Sequence, residues 1–176
     1  MDGLPHPPAS LLTDTFRRQL TALVPDLRGF ARFLLRERAE ADDLVQEALV
    51  RALSAAAQFR PGTNMKSWLF TILRNAFYEQ ARRHKTERAA LERAARTGPP
   101  PVSGPDGHSE IAELQRRLWE LPPLLREALV LVGAQEMSYE EAAEICGAPV
   151  GTMKARVSRA RAQIRQVVAD APPSER

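Results

Sequence analysis

Residues 64–82 gather side chains suited to gripping a polymer of bases and phosphates. Asn64 and Asn75 offer amides for base edges, and Tyr78 offers a ring on which a base can stack, a contact worth ~1–3 kcal/mol. Lys66, Arg74 and Arg82 offer cations for phosphates, and Ser67 adds a hydroxyl. A second basic set lies in KARVSRARAQIR, where arginine can read guanine bidentately for ~1–3 kcal/mol per pair. A third set is acidic: Asp42, Asp43, Gln46 and Glu47 share one side of a helix and can pair with arginines on a partner. Two neighbouring acids also suit a helix N-terminus, where a carboxylate gains ~0.3–1 kcal/mol. A catalytic carboxylate pair is disfavoured, because no nucleophile or metal cluster accompanies it. His6, His84 and His108 are scattered and Cys146 is the single cysteine, so neither a metal nor another cofactor is expected.

These residues need helices to hold them in register. The pattern is helical nearly throughout, and no strand-like alternation competes. Residues 16–35 alternate apolar and basic groups. From Asp42 to Ala57, Leu44, Val45, Ala48, Leu49, Ala52 and Leu53 make one buried stripe. Pro61 and Gly62 mark a loop. A helix from about Lys66 to Arg83 then presents two faces, with Trp68, Leu69, Ile72, Leu73 and Ala76 toward a core. Thr71, Asn75, Tyr78 and Arg82 lie opposite, with Arg74 beside them. Five of the chain's ten aromatics, Phe59, Trp68, Phe70, Phe77 and Tyr78, fall in this stretch. Trp68 and Phe70 read as core, Phe59 as the base of a pocket walled by the Arg60–Lys66 loop, and Phe77 sits between the faces.

TGPPPVSGPDGHS, residues 97–109, cannot continue a helix and reads as a linker. Beyond it, IAELQRRLWEL is a short amphipathic helix, Pro122–Pro123 resets the chain, and LLREALVLVGAQ is a second, buried helix. SYEE then spells a capping box, with Ser138 as cap and Glu141 reaching back. Gly147 permits a tight turn and Pro149 suits a helix start. This is a helix-turn-helix with Val150 to Val168 as the reading helix. Val150, Met153, Val157, Ala160 and Ile164 face inward. Thr152, Ala155, Arg159 and Ala162 point away, with Arg156 and Ser158 on the flanks. Lys154, Arg161 and Arg165 lie nearer the buried side and suit backbone phosphates. A merely solvated basic helix needs no capping box, small residue and glycine turn in that order.

The chain has 176 residues, 44% of them hydrophobic, and a net charge of only +3. That charge is unevenly spread. Residues 37–47 carry five acids against Arg38, and 136–144 carry four acids and no base. Residues 66–96 carry eight bases against three acids, and 148–168 carry five bases and no acid. Basic faces for nucleic acid and acidic faces for a protein follow from this alternation. A lone cysteine suits a reducing cytoplasm. MDGLPHPPAS lacks the basic and apolar regions of a signal peptide, and no stretch approaches the ~20 apolar residues of a membrane span.

ADDLVQEALVRAL, FRPGTNMKSWLFTILRNAFYEQARR and LPPLLREALVL…SYEEAAEICGAPVGTMKARVSRAR resemble bacterial sigma factors of the extracytoplasmic-function (ECF) group. GTNMKSWLFTILRNAFY is most similar to the EcfG-like general-stress subgroup, whose members are held by the small anti-sigma protein NepR. The resemblance implies an all-α protein with a region 2 domain over residues 12–90, a flexible linker over 91–108 and a region 4 domain over 109–170. It implies a subunit of RNA polymerase, not an enzyme in its own right, that directs transcription initiation at chosen promoters. It places −10 contacts at Phe59, Asn64, Lys66, Ser67, Arg74, Asn75, Tyr78 and Arg82. It places −35 contacts at Thr152, Lys154, Ala155, Arg156, Ser158 and Arg159. Asp42, Asp43, Gln46 and Glu47 match the segment that docks on the polymerase β′ clamp. Implied partners are core polymerase (β′ clamp and β subunit), promoter DNA and a small soluble NepR-like anti-sigma factor, with no membrane. Two rivals remain at this point. A stand-alone helix-turn-helix regulator would have no use for the acidic ADDLVQE helix. A sigma mimic that only titrates an anti-sigma factor would have no use for Asn75, Arg156 and Arg159.

Overall fold

In a computed structural model, backbone is described for residues 9–92 and 116–169, and side chains for 14–84 and 116–166. The linker segment at 97–109, His6 and His108 lie outside the described residues. Every regular element among those described is helical. α1 spans Ala9–Leu34, α2 Arg38–Ser54 and α3 Met65–Glu92, with a 3-10 turn at Ala56–Gln58 between α2 and α3. After a helical segment at 116–120 come α4 (Pro123–Leu129), a π-helical turn (Val130–Ala134), α5 (Tyr139–Cys146) and α6 (Val150–Ala169).

α1, α2 and α3 pack on one another because each carries a continuous apolar stripe. Phe30, Leu27, Leu44, Leu69, Phe70 and Leu73 are buried without measurable exposure or nearly so. Phe30 and Phe70 stack at 5.0 Å with 24° between planes. Each such side chain contributes ~1.5–3 kcal/mol on leaving water. α2 starts at Arg38, four residues earlier than the stripe suggests, with Glu37 in the cap position. Asp42 and Asp43 therefore sit in its second turn, and the helix-terminus explanation of these two acids does not apply.

α3 starts where Asn64 caps it. The Asn64 Oδ1 accepts from the Ser67 backbone N–H at 3.2 Å, and its carbonyl accepts from the Trp68 N–H at 3.1 Å. Gly62, at φ +89, supplies the left-handed turn that brings the chain round into the helix.

The local signals of the second unit are met. Ser138 and Glu141 form the full capping box, and Gly147 caps α5 in the left-handed conformation at φ +59. Met153, Val157 and Ala160 are buried along α6, and Val150 and Ile164 are half-buried. Pro149 stands one position outside α6, its carbonyl accepting from the Met153 N–H at 3.1 Å. The segment read as one buried helix is broken: α4 passes at Val130 into a wider π turn, and Glu136 follows at φ +56.

The two units are closed on one another. One apolar cluster runs from Phe30, Leu44, Phe70 and Leu73 of the first into Leu131, Ile145, Met153 and Val157 of the second. α4 and the π turn lie against α1, and α5 lies against α3.

Candidate nucleic-acid interface

The face of α3 opposite its core stripe gathers Arg74, Asn75, Tyr78, Glu79 and Arg82 round a cavity of about 300 Å³. Helical spacing alone brings these side chains together, and Asn75 and Arg82 are exposed. The Arg74 guanidinium lies over the Tyr78 ring at 4.5 Å. Phe77 falls to the core side, half-buried, with its ring edge-on to Tyr78 at 5.0 Å.

Arg74 and Tyr78 are already engaged. Arg74 Nε donates to Glu127 Oε1 at 2.7 Å, and Nη2 reaches Oε2 at 3.4 Å. The Tyr78 hydroxyl donates to the same Oε2 at 3.2 Å. The Glu127 side chain is 1% exposed and comes from α4 of the second unit. Burial works against charge on Arg74, but the Glu127 contact outweighs it and raises the arginine's pKa. Burial and the nearby carboxylate both push the Tyr78 hydroxyl up. The Cys146 thiol, buried at the same junction, is pushed up to about 12 by burial and by Glu127. It is an inert packing group.

The loop candidates are divided. Asn64 is exposed, and its Nδ2 donates to Glu141 of the capping box. Lys66 Nζ donates to the Gln135 carbonyl at 2.9 Å and pairs with Asp26 at 3.0 Å. Ser67 lies inside α3, buried, and its Oγ has no hydrogen-bond partner. Phe59 packs against Trp68 at 5.1 Å and Phe16 at 5.8 Å, so it belongs to an aromatic corner.

On α6, Lys154, Ser158 and Arg159 are exposed, and Thr152, Ala155 and Arg156 are half-buried on its flank. Lys154 lies over the Tyr139 ring at 5.8 Å. Arg161 and Arg165 are exposed too, so phosphate-reaching groups run the length of the helix. On α2, Asp43 and Gln46 are exposed. Asp42 lies 3.8 Å from Arg28, and Glu47 accepts from Arg51 and from Gln80 of α3. Burial raises the Glu47 pKa, but those donors lower it more, to a net value below the ordinary range.

Sequence reasoning missed Glu127 and Arg126, and it read Glu141 as a capping residue without its contact to Asn64. Arg126 is buried. Its Nε donates to the Phe33 carbonyl at the end of α1 at 2.9 Å, and its guanidinium lies 3.8 Å over the Trp119 ring. The signal available was one charged pair, Arg126–Glu127, inside an otherwise apolar segment, where charges are rare unless paired.

A helix-turn-helix whose basic helix is exposed, packed on a three-helix unit bearing an amide, aromatic and arginine face, is an arrangement suited to nucleic acid. The sigma-70 region 2 family matches residues 20–87 and the sigma-70 region 4 family matches 111–164. The chain is similar to the ECF RNA polymerase sigma factor EcfG of Rhodopseudomonas palustris, with 46% identity over 153 residues, 87% of this chain and 84% of the relative. It is 35% identical to SigC of Mycobacterium tuberculosis, over 77% of this chain and 72% of that one. The solved sigma factor RpoE in complex with the anti-sigma factor NepR, from Bartonella quintana, superposes with a TM-score of 0.76 at 36% identity, over 90% of this chain and 99% of that one. CnrH in complex with the cytosolic domain of CnrY gives 0.68 at 26% identity, over 93% and 96%. The protein belongs to the ECF sigma factors of RNA polymerase. Among the described residues no helix is long and apolar enough to cross a membrane.

Proposed function

We propose that this sigma factor reads the −10 element with the exposed face of α3 and the −35 element with α6, and docks on polymerase through α2. The observation that carries this is the cavity framed by Arg74, Asn75, Tyr78 and Arg82. It is of a size to take an unstacked base beside its phosphate, with a ring to stack on, an amide for the base edge and guanidiniums for the backbone. Arg156, Ser158 and Arg159 present side chains to a major groove, and Thr152, Lys154, Arg161 and Arg165 reach its phosphates. Asp43 and Gln46, exposed on α2 beside Asp42 and Glu47, suit a basic partner surface such as the β′ clamp of core polymerase, whose β subunit is the other expected contact. The working division is 12–90 for docking and −10 reading, 91–108 as linker, and 109–170 for −35 reading.

The resemblance to a NepR-bound sigma factor supports a small soluble anti-sigma partner, a place in a general stress response and a cytoplasmic setting. Mapping transcript 5′ ends after overexpression locates the promoters, and run-off transcription with core polymerase on one of them tests the reading. A promoter-dependent transcript is expected, weakened by Asn75→Ala and by Arg159→Ala. Folded protein that yields none overturns it. Calorimetry against a small soluble helical anti-sigma factor tests the regulatory part, and a tight binder found solely among membrane-spanning partners overturns that part.

A further inference from the structure

We propose that Glu127 is an internal stand-in for a DNA phosphate: the free chain rests closed, and single-stranded promoter DNA must displace Glu127 from Arg74 and Tyr78. This rests on the −10 reading of α3 given above.

Three contacts from the second unit fall on residues singled out for DNA on independent grounds. Glu127 takes Arg74 and Tyr78. Glu141 takes Asn64, and the Gln135 carbonyl takes Lys66. All three acceptors are oxygens, and two are carboxylates, so the second unit offers α3 the chemistry of a nucleic-acid backbone. The fit at Glu127 is the most complete. Its carboxylate, 1% exposed, receives a two-point arginine contact and a phenol hydroxyl. A phosphate oxygen accepts hydrogen bonds in the same manner.

The geometry of α4 makes this contact deliberate in form. Successive helical residues point about 100° apart. Arg126 accordingly reaches α1, at the Phe33 carbonyl, while Glu127 reaches α3. One dipeptide pins the second unit to two helices of the first. Arg36 also lies over the Trp119 ring from the opposite unit at 5.1 Å. The cavity at Asn75 and Arg82 borders the pinned pair, so an entering strand meets those two residues beside the contact it must break.

Removing one partner of a buried ion pair is costly because it leaves the other ion buried and unpaired. A phosphate that arrives as Glu127 leaves keeps Arg74 paired throughout. Glu127 itself regains water once the units part.

The test uses the full chain. Small-angle scattering reports compactness, and fluorescence anisotropy with a labelled single-stranded oligonucleotide of mixed sequence reports binding. Glu127→Gln should expand the particle and tighten oligonucleotide binding about tenfold, the gain expected when a state populated at about one part in ten becomes dominant. Saturating oligonucleotide should expand the wild-type particle as well. A Glu127→Gln protein that stays compact with wild-type affinity overturns the proposal. So does one that expands without binding more tightly. Should Glu127→Gln fail to fold by circular dichroism, the wild-type titration decides: binding without expansion overturns the proposal. Asn75→Ala lies outside the pinned pair. Weakened binding there with no gain from Glu127→Gln keeps the −10 reading and ends the latch, whereas unchanged binding ends both.

Discussion

The two faces proposed to read DNA in this sigma factor differ in one respect. α6 shows Lys154, Ser158 and Arg159 to solvent, while α3 has Arg74 and Tyr78 turned into the second unit and bound to Glu127. One face is ready and the other is taken by the chain's own acid. Both belong to one packed body, because Phe70 of the first unit and Leu131 and Met153 of the second share a core. A helix that reads a duplex needs only its exposed side. A face proposed to hold unpaired bases must also carry cations for their phosphates, and those cations attract any anion; here the protein supplies one.

The strongest challenge to the comparison is to the shared core. Phe70→Ala removes a fully buried ring stacked on Phe30 and should cost ~3–5 kcal/mol. Calorimetric unfolding should show one transition shifted down, for both units together. Two separate transitions would break the picture of a common body. Next comes the side proposed for −35 reading. Arg159→Ala should lose ~1–3 kcal/mol of duplex binding, measured by anisotropy on a promoter fragment, with the scattering profile unchanged. Loss of compactness in that variant would show that α6 is not the free face. Arg126→Met removes the donor to the Phe33 carbonyl and should cost ~1–3 kcal/mol in chemical unfolding, with a larger particle by scattering.

The smallest effect concerns pH. Glu141 is held below its usual carboxylate value, first by the Ser138 backbone N–H, then by the Ser138 hydroxyl and with help from Asn64. Its folded pKa is the depressed one, so its stabilisation is complete above the ordinary value of 4.5 and disappears as pH falls through the lower folded value. Glu141→Gln keeps a capping side chain but removes the titrating group, so it should flatten the stability profile on the acid side, read from urea midpoints.

What was legible in the chain was local. The two-faced spacing of α3, the Ser138–Glu141 box, the Gly147 turn and the inward stripe Val150, Met153, Val157 and Ala160 each follow from residues within a turn or two. The junction was not legible. Glu127 meets Arg74 across 53 positions and Glu141 meets Asn64 across 77, and no periodicity carries such pairings. The break at Val130 was hidden as well, because an apolar run reads alike through an α turn and a π turn. Glu37 at the head of α2 escaped notice because the apolar stripe begins inside the helix.

The π turn at Val130–Ala134 has a consequence for descent. Such a turn holds one residue more than the α-helix around it. Val130 and Leu131, inside this turn, are both buried in the apolar cluster that the two units share. Losing one residue there would turn the apolar side chains that remain about 100° out of their present register and weaken that shared core. Length change at this turn is therefore expected to be tolerated less well than length change in an exposed loop.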